Sequence, residues 1–339
     1  MDYLGTFPAG FTELVKRLLL RDLERATILF SDESVIAFRT QTVPVKLPYL
    51  KNQYILIAWE KTENLASAYQ IILDRKNLGT FEALSDRLAK KRFVIRTFIE
   101  GKPAPVIPHL HRQVEKEMVN RLSGKPNSER PELEFHLHVR KNKQCFFVLQ
   151  EKDHREEPLP AGTLPPYLCR LLIELSDPQR DDIFLDPFMG SGAIPFARAQ
   201  VGPYGLIFAG DKDAEKVASF KAQLKNKRWE KRRKTIFPKL LDAAKLDIFQ
   251  DAFITRIVSD PPWGLYENLN AASLYELFEK FLDEAARVLA KTGKMVLLLG
   301  SHIPLPAIIE KTSIPFRITE YYPVLVSGQK ALVYILVPI

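Results

Sequence analysis

The apolar run 253–258 stops at Ser259-Asp260-Pro261-Pro262-Trp263-Gly264. Six apolar-rich residues bounded this sharply predict a buried strand. Proline has no amide hydrogen. The acid and the backbone carbonyls beside it therefore present only hydrogen-bond acceptors, and Trp263 adds a stacking face. A strand that ends this way can hold a flat base by an exocyclic amine.

The stretch around that motif repeats one pattern. A helix over 167–175 leads to strands at 183–185, 206–209, 254–258 and 295–299, with helices between them, most clearly 274–289. Alternation of this kind predicts a parallel α/β sheet. Two last strands, 316–322 and 331–337, predict a terminal antiparallel pair, as mixed sheets allow. The first half reads differently, as α+β. Helices are expected at 11–23, 65–73 and 108–122, and strands at 27–30, 35–38, 54–59, 93–99, 133–139 and 144–149. Residues 124–128 read as a loop. Between Glu151 and Pro166, Pro158, Pro160, Gly162 and Pro165 exclude continuous helix or central strand. The expected division is a domain over 1–90, a second over 91–152, a linker over 153–165 and a catalytic domain over 166–339.

Composition narrows the function less than the motifs do. No stretch reaches the roughly 18 apolar residues of a membrane span, and the start, Met1-Asp2-Tyr3-Leu4-Gly5, lacks the basic-then-apolar pattern of a signal peptide. A cytoplasmic monomer is expected. The net charge of +8 permits nucleic acid without requiring it. Lys221, Lys225, Lys227, Arg228, Lys231, Arg232, Arg233 and Lys234 crowd one segment, either as a solvated helix face or as a ridge contacting phosphates. Lys227, Arg228, Arg232 and Arg233 are RNA-binding candidates. So are Arg140, Lys141 and Lys143, in a basic turn between two strands. Cys145 and Cys169 read as reduced thiols. His136 and His138 alternate along a strand and are expected as two exposed histidines. No Cys/His spacing suggests zinc, and no metal is expected.

A second site lies upstream. A strand ends at Leu185, the chain turns through Asp186-Pro187-Phe188-Met189-Gly190-Ser191-Gly192, and a helix follows from about Ala193. Pro195 fits only a first helical turn. The glycines admit close approach of a ligand, and the helix start offers free amides. Three-glycine dinucleotide spacing is missing, which argues against a nicotinamide-dependent enzyme. Asp211 ends the next strand, where an acid can bind both ribose hydroxyls; Asp213 is the weaker candidate. Asp242, with Asp247 as its competitor, could receive an adenine amino group.

An aromatic amine is a poor nucleophile, because its lone pair is delocalised into the ring. Acceptors at Asp260 and beside Pro261 and Pro262 favour a more pyramidal nitrogen, while Trp263 holds the base. An in-line donor then gains much of its rate from positioning. With both motifs in view, the second half resembles class I S-adenosylmethionine-dependent methyltransferases that modify amines. Its donor motif is Asp186 to Gly192, its ribose acid Asp211, and its amine motif, (D/N)PP(Y/F/W), Asp260 to Trp263. The first half is similar to a ferredoxin-like segment and a THUMP domain, at Thr6-Phe7-Pro8-Ala9-Gly10, 93–99 and Pro131-Glu132-Leu133-Glu134. In this order the parts resemble THUMP-containing tRNA guanine-N2 methyltransferases.

That resemblance implies a Rossmann-like α/β domain with a mostly parallel sheet and a terminal antiparallel hairpin, preceded by α+β ferredoxin-like and THUMP domains. It implies S-adenosylmethionine as cofactor and tRNA as partner. Donor binding would fall to Asp186, Pro187, Phe188, Gly190, Ser191, Gly192, Asp211 and Asp242. Catalysis would fall to Asp260, Pro261, Pro262 and Trp263. Trp263 departs from the commoner tyrosine or phenylalanine. Ribosomal-RNA guanine-N2 or nucleic-acid adenine-N6 methylation stays open, because both bases present an exocyclic amine. So does a non-catalytic RNA-binding scaffold.

Overall fold

A computed structural model describes all residues except 43–45, 63, 75–78, 153–161, 266–269 and 327. Most of the expected linker, 153–161, lies outside the described residues. Contacts divide the chain into two units, Met1–Phe7 with Val15–Pro158, and Pro8–Leu14 with Leu159–Ile339.

The first unit is built on one sheet. Its strands are β1 (Asp2–Thr6), β2 (Thr27–Ser31), β3 (Val35–Arg39), β4 (Asn52–Lys61), β5 (Arg92–Ile99), β6 (Lys102–Pro103), β7 (Lys125–Pro126), β8 (Leu133–Val139) and β9 (Gln144–Glu151). Between them lie α1 (Thr12–Asp22), α2 (Leu65–Leu73), α3 (Gly79–Glu82), α4 (Ser85–Leu88) and α5 (Pro108–Leu122). The strand order is β2-β3-β1-β4-β9-β8-β5-β6, with β7 beside β5. β4 pairs antiparallel with β9, Ile55 opposite Leu149, so one ladder joins the stretches 1–90 and 91–152. Residues 125–126 pair as β7 with β5 instead of remaining loop. One sheet face buries Phe93, Leu133, Phe135 and Leu137 against Ile72, Val114 and Met118 of the helices.

The histidines are not exposed as expected. β8 lies between β5 and β9, inside the sheet, and its second face is covered by rings. Phe98 stacks on His138 at 4.8 Å, Tyr54 lies 5.3 Å from His136, and His136 is 5% exposed. Burial lowers the proton affinity of both imidazoles, taking His138 down to about 3. Cys145 and Cys169 are buried, unpaired thiols. Burial pushes Cys145 up to about 12.

The second unit opens with α6 (Pro166–Leu175) and β10 (Ile183–Asp186). There follow α7 (Ala193–Gln200), β11 (Leu206–Asp211), α8 (Ala214–Leu224), β12 (Ile236–Leu240), β13 (Ile254–Ser259) and α9 (Ala271–Val288). β14 (Leu289–Gly300), α10 (Leu305–Thr312), β15 (Phe316–Val326) and β16 (Gln329–Pro338) complete it. The order is β12-β11-β10-β13-β14-β16-β15. β10 to β14 run parallel, and β16 is antiparallel to both its neighbours. β12 escaped the sequence pattern because Pro238 and Lys239 interrupt its apolar run, which an edge strand tolerates. The core packs Leu185, Ile257 and Leu297 against Phe278, Phe281 and Leu282 of α9.

After β10 the sheet grows one way through β11 and β12 and the other way through β13 and β14. This reversal opens a crevice beyond the carboxyl ends of β10 and β13, where ligands of such sheets bind.

Candidate active site

β10 delivers Asp186 to that crevice, wholly buried. Ser259 Oγ lies 2.5 Å from its Oδ1, and the Phe188 N–H donates to the same oxygen at 3.2 Å. Oδ2 is buried without a hydrogen-bond partner. Burial, with Asp260 and Asp211 nearby, pushes the carboxyl up to about 8 against the pull of those two hydrogen bonds.

The turn beyond is fixed by Asp211, at the carboxyl end of β11. Its Oδ2 accepts the Gly190 N–H at 2.9 Å and its Oδ1 the Asp213 N–H at 3.0 Å. Gly192 caps α7 at φ +81°, and a Cβ there would stand 2.1 Å from Phe220 Cδ2. Only glycine meets both demands. Pro195 lies in the first turn of α7, as its position predicts. Pro187 is buried, Phe188 packs edge-on against Phe281 at 5.1 Å, and Ser191 is exposed. Asp213 caps α8 by accepting the Glu215 N–H at 2.8 Å. Asp242 is exposed just beyond β12, where it accepts the Ala244 N–H at 3.0 Å. Asp247 pairs with Lys245 at 3.4 Å.

Asp260 follows β13, so Asp211, Asp186 and Asp260 stand at the ends of three adjacent strands, spaced roughly 4.8 Å apart. Asp260 Oδ1 accepts the Trp263 indole N–H at 2.9 Å. Trp263 is half-buried against the core. Its carbonyl accepts a hydrogen bond from His302 Nε2 at 2.8 Å, which requires that nitrogen to carry the hydrogen. A Cβ on Gly300, the last residue of β14, would lie 2.6 Å from His302 Cε1 and 3.3 Å from Trp263 Cε3. Sequence reasoning passed over both Ser259 and His302. Ser259 was legible as a polar residue ending an apolar run. His302 lies 39 residues from Trp263 and carried no signal.

The remaining expected residues lie elsewhere. Lys227, Arg228, Arg232 and Arg233 are exposed between α8 and β12, at the amino edge of the sheet. Arg140, Lys141 and Lys143 form the β8–β9 turn of the first unit. Arg140 is bound there to Asp32 at 2.8 Å, whereas Lys141 and Lys143 are exposed. Among the described residues, no group of three or more His, Cys, Asp or Glu could hold a metal, and no helix is long and apolar enough to cross a membrane.

Residues 153–330, more than half of the chain, match the family model described as RMKL-like, methyltransferase domain. The chain belongs to the RMKL-like methyltransferase family. It is 30% identical over 208 residues to the tRNA (guanine(6)-N2)-methyltransferase of Thermus thermophilus, covering 59% of each chain. It is 27% identical over 173 residues to the tRNA (guanine(10)-N2)-dimethyltransferase of Methanothermobacter thermautotrophicus, covering 51% of this chain and 48% of that one. The chain thus spans about half to three fifths of these relatives. The crystal structure of TrmN from Thermus thermophilus matches it over 100% of both chains, with a TM-score of 0.74 and 22% identity. A possible methylase from Clostridium difficile gives the same score at 14% identity, over 100% of this chain and 98% of that one. These structures share the α/β methyltransferase fold of this family member.

Proposed function

We propose that this chain transfers a methyl group from S-adenosylmethionine to the exocyclic N2 amine of a guanine in tRNA. The observation that carries the reading is the Ser259–Asp186 hydrogen bond, which sets the acceptor notch directly beside the glycine turn. The residues fit the cofactor. The partnerless Asp186 Oδ2 suits an ammonium, and the Asp211 carboxylate suits a ribose diol. Asp242 would receive the adenine amino group. When bound, S-adenosylmethionine supplies an electrophilic methyl group.

The chain's own residues do the rest. Trp263 offers one ring face to the base, a platform worth about 1–3 kcal/mol. Its indole N–H meanwhile orients Asp260. Asp260 and the carbonyls beside Pro261 and Pro262 accept hydrogen bonds from the amine and localise its lone pair. Asp260 then takes the proton the nitrogen releases and passes it to water. A base drawn from a duplex costs a few kcal/mol to extrude.

The tRNA assignment draws on the names of the relatives. In this reading residues 1–90 are the ferredoxin-like domain and 91–152 the THUMP domain, with Lys141 and Lys143 facing RNA. The enzyme acts as a cytoplasmic monomer.

Purified protein, labelled donor and separate tRNA, rRNA and DNA substrates test the proposal, with nucleoside mass spectrometry of the product. N2-methylguanosine in tRNA is expected. Asp260→Ala should abolish transfer and leave donor affinity within about twofold. Transfer only to rRNA, to DNA or to adenine N6 would overturn the substrate. Binding of tRNA without any binding of donor would favour a scaffold.

A further inference from the structure

The last turn of α8 and the elbow that joins it to β12 carry nearly all the net charge of the protein. Residues 221–234 hold eight cations and one acid, Glu230, a net +7 against +8 for the whole chain. All eight cations are exposed, and none is ion-paired among the described residues. Several other cations on this unit are answered by acids, Lys280 by Glu276 at 2.7 Å and Arg287 by Glu284 at 2.8 Å.

The elbow is also held in shape. Trp229, 3% exposed, stacks on Phe196 at 4.6 Å, and the Arg228 guanidinium lies 4.9 Å over the indole. The Trp229 carbonyl accepts the N–H groups of Arg232 at 2.9 Å and Arg233 at 2.8 Å. A buried anchor thus holds the backbone from which these unneutralised cations project, a charge density that suits a polyanion.

Its position separates it from the transfer site. Thr235 O accepts the N–H of Ile207, near the start of β11, whereas Asp211 ends that strand four residues on, roughly 13 Å away at about 3.3 Å per residue. The cations begin at that far edge. We infer that the elbow is a second RNA-binding surface, gripping phosphates in a part of the tRNA remote from the nucleotide in the notch. The inference rests on the tRNA reading above.

The test is the double variant Arg232→Glu/Arg233→Glu. Binding is measured by fluorescence anisotropy from about 50 to 200 mM salt. Two RNAs are compared: a full-length tRNA that the wild type methylates, and the shortest hairpin from it that still accepts methyl. For full-length tRNA the slope of log K against log salt should flatten by about 2, so the affinity lost across that range shrinks roughly tenfold. Transfer to the hairpin should keep its kcat/KM. Arg232→Gln/Arg233→Gln should move the slope less, in the same direction, with Tm and donor affinity unchanged in both variants. An unchanged slope on full-length tRNA overturns the inference, whether the elbow is merely solvated or serves an acidic protein. Equal losses on both RNAs overturn its remoteness. If the wild type methylates no RNA, the reaction reading falls, and that failure is visible before any variant is made.

Discussion

β10 has a buried aspartate at each end, and their surroundings differ. Asp182, just before the strand, is 1% exposed and fully answered. Arg198 lies at 2.9 Å, Arg256 at 3.8 Å, and Gln179 N–H donates at 2.8 Å. Asp186, at the other end, is 0% exposed, has a hydroxyl and one amide for partners, and has two acids as neighbours. Burial alone does not distinguish a structural acid from a functional one. The missing counter-charge sets Asp186 apart: under the proposed function, an acid held without a cation is prepared for a cationic ligand, at a cost to the ligand-free fold.

The largest expected effect falls on the satisfied end. Arg198→Met strands a buried carboxylate and should cost about 3–5 kcal/mol in urea unfolding. A loss below about 1 kcal/mol would erase the contrast between the two aspartates. The unsatisfied end should behave oppositely. In the fold Asp186 titrates near 8, against an ordinary 3.8, so the native state favours its protonated form. That contribution is complete below about pH 4 and lost as pH rises through 8. Wild type should therefore lose stability relative to Asp186→Asn as pH rises over this interval, while the variant loses donor affinity. Parallel stability curves for the two proteins would mean that Asp186 is ionised throughout.

Two smaller effects sharpen the picture on the neighbouring strand. Trp263→Phe keeps the stacking face and removes the N–H that holds Asp260. A charge-assisted hydrogen bond of about 1.5–3 kcal/mol should reappear as a tenfold or greater fall in kcat, with KM little changed. A rise in KM alone would show that the indole only binds. His302→Ala removes a bond to the Trp263 carbonyl at an exposed position. It should lower kcat/KM by a few-fold, from about 0.5–1.5 kcal/mol, and steady-state kinetics with an intact Tm would check it.

What could be read in advance follows from distance along the chain. The two strand-to-turn motifs were legible because each packs its chemistry into seven residues or fewer. The alternation of apolar runs likewise announced the parallel sheet. Contacts between distant segments were not legible. Ser259 meets Asp186 across 73 residues, and Arg198 finds Asp182 only once α7 has packed. His136 and His138 misled for a related reason. A strand with polar residues on one face reads as half-solvated, and nothing local says that Tyr54 and Phe98 will cover that face. β12 was hidden by Pro238, a residue whose cost depends on whether its strand lies at an edge.

The pairing of β4 with β9 sets a timetable for this protein as it is made. Ile55 must wait for Leu149, nearly a hundred residues later, which at about 5–20 residues per second is roughly 5–20 s of translation. Throughout that delay β4 offers the nascent chain's surroundings an open hydrogen-bonding edge, the kind that recruits stray strands. A chain cut short between those two segments would keep that edge open for good.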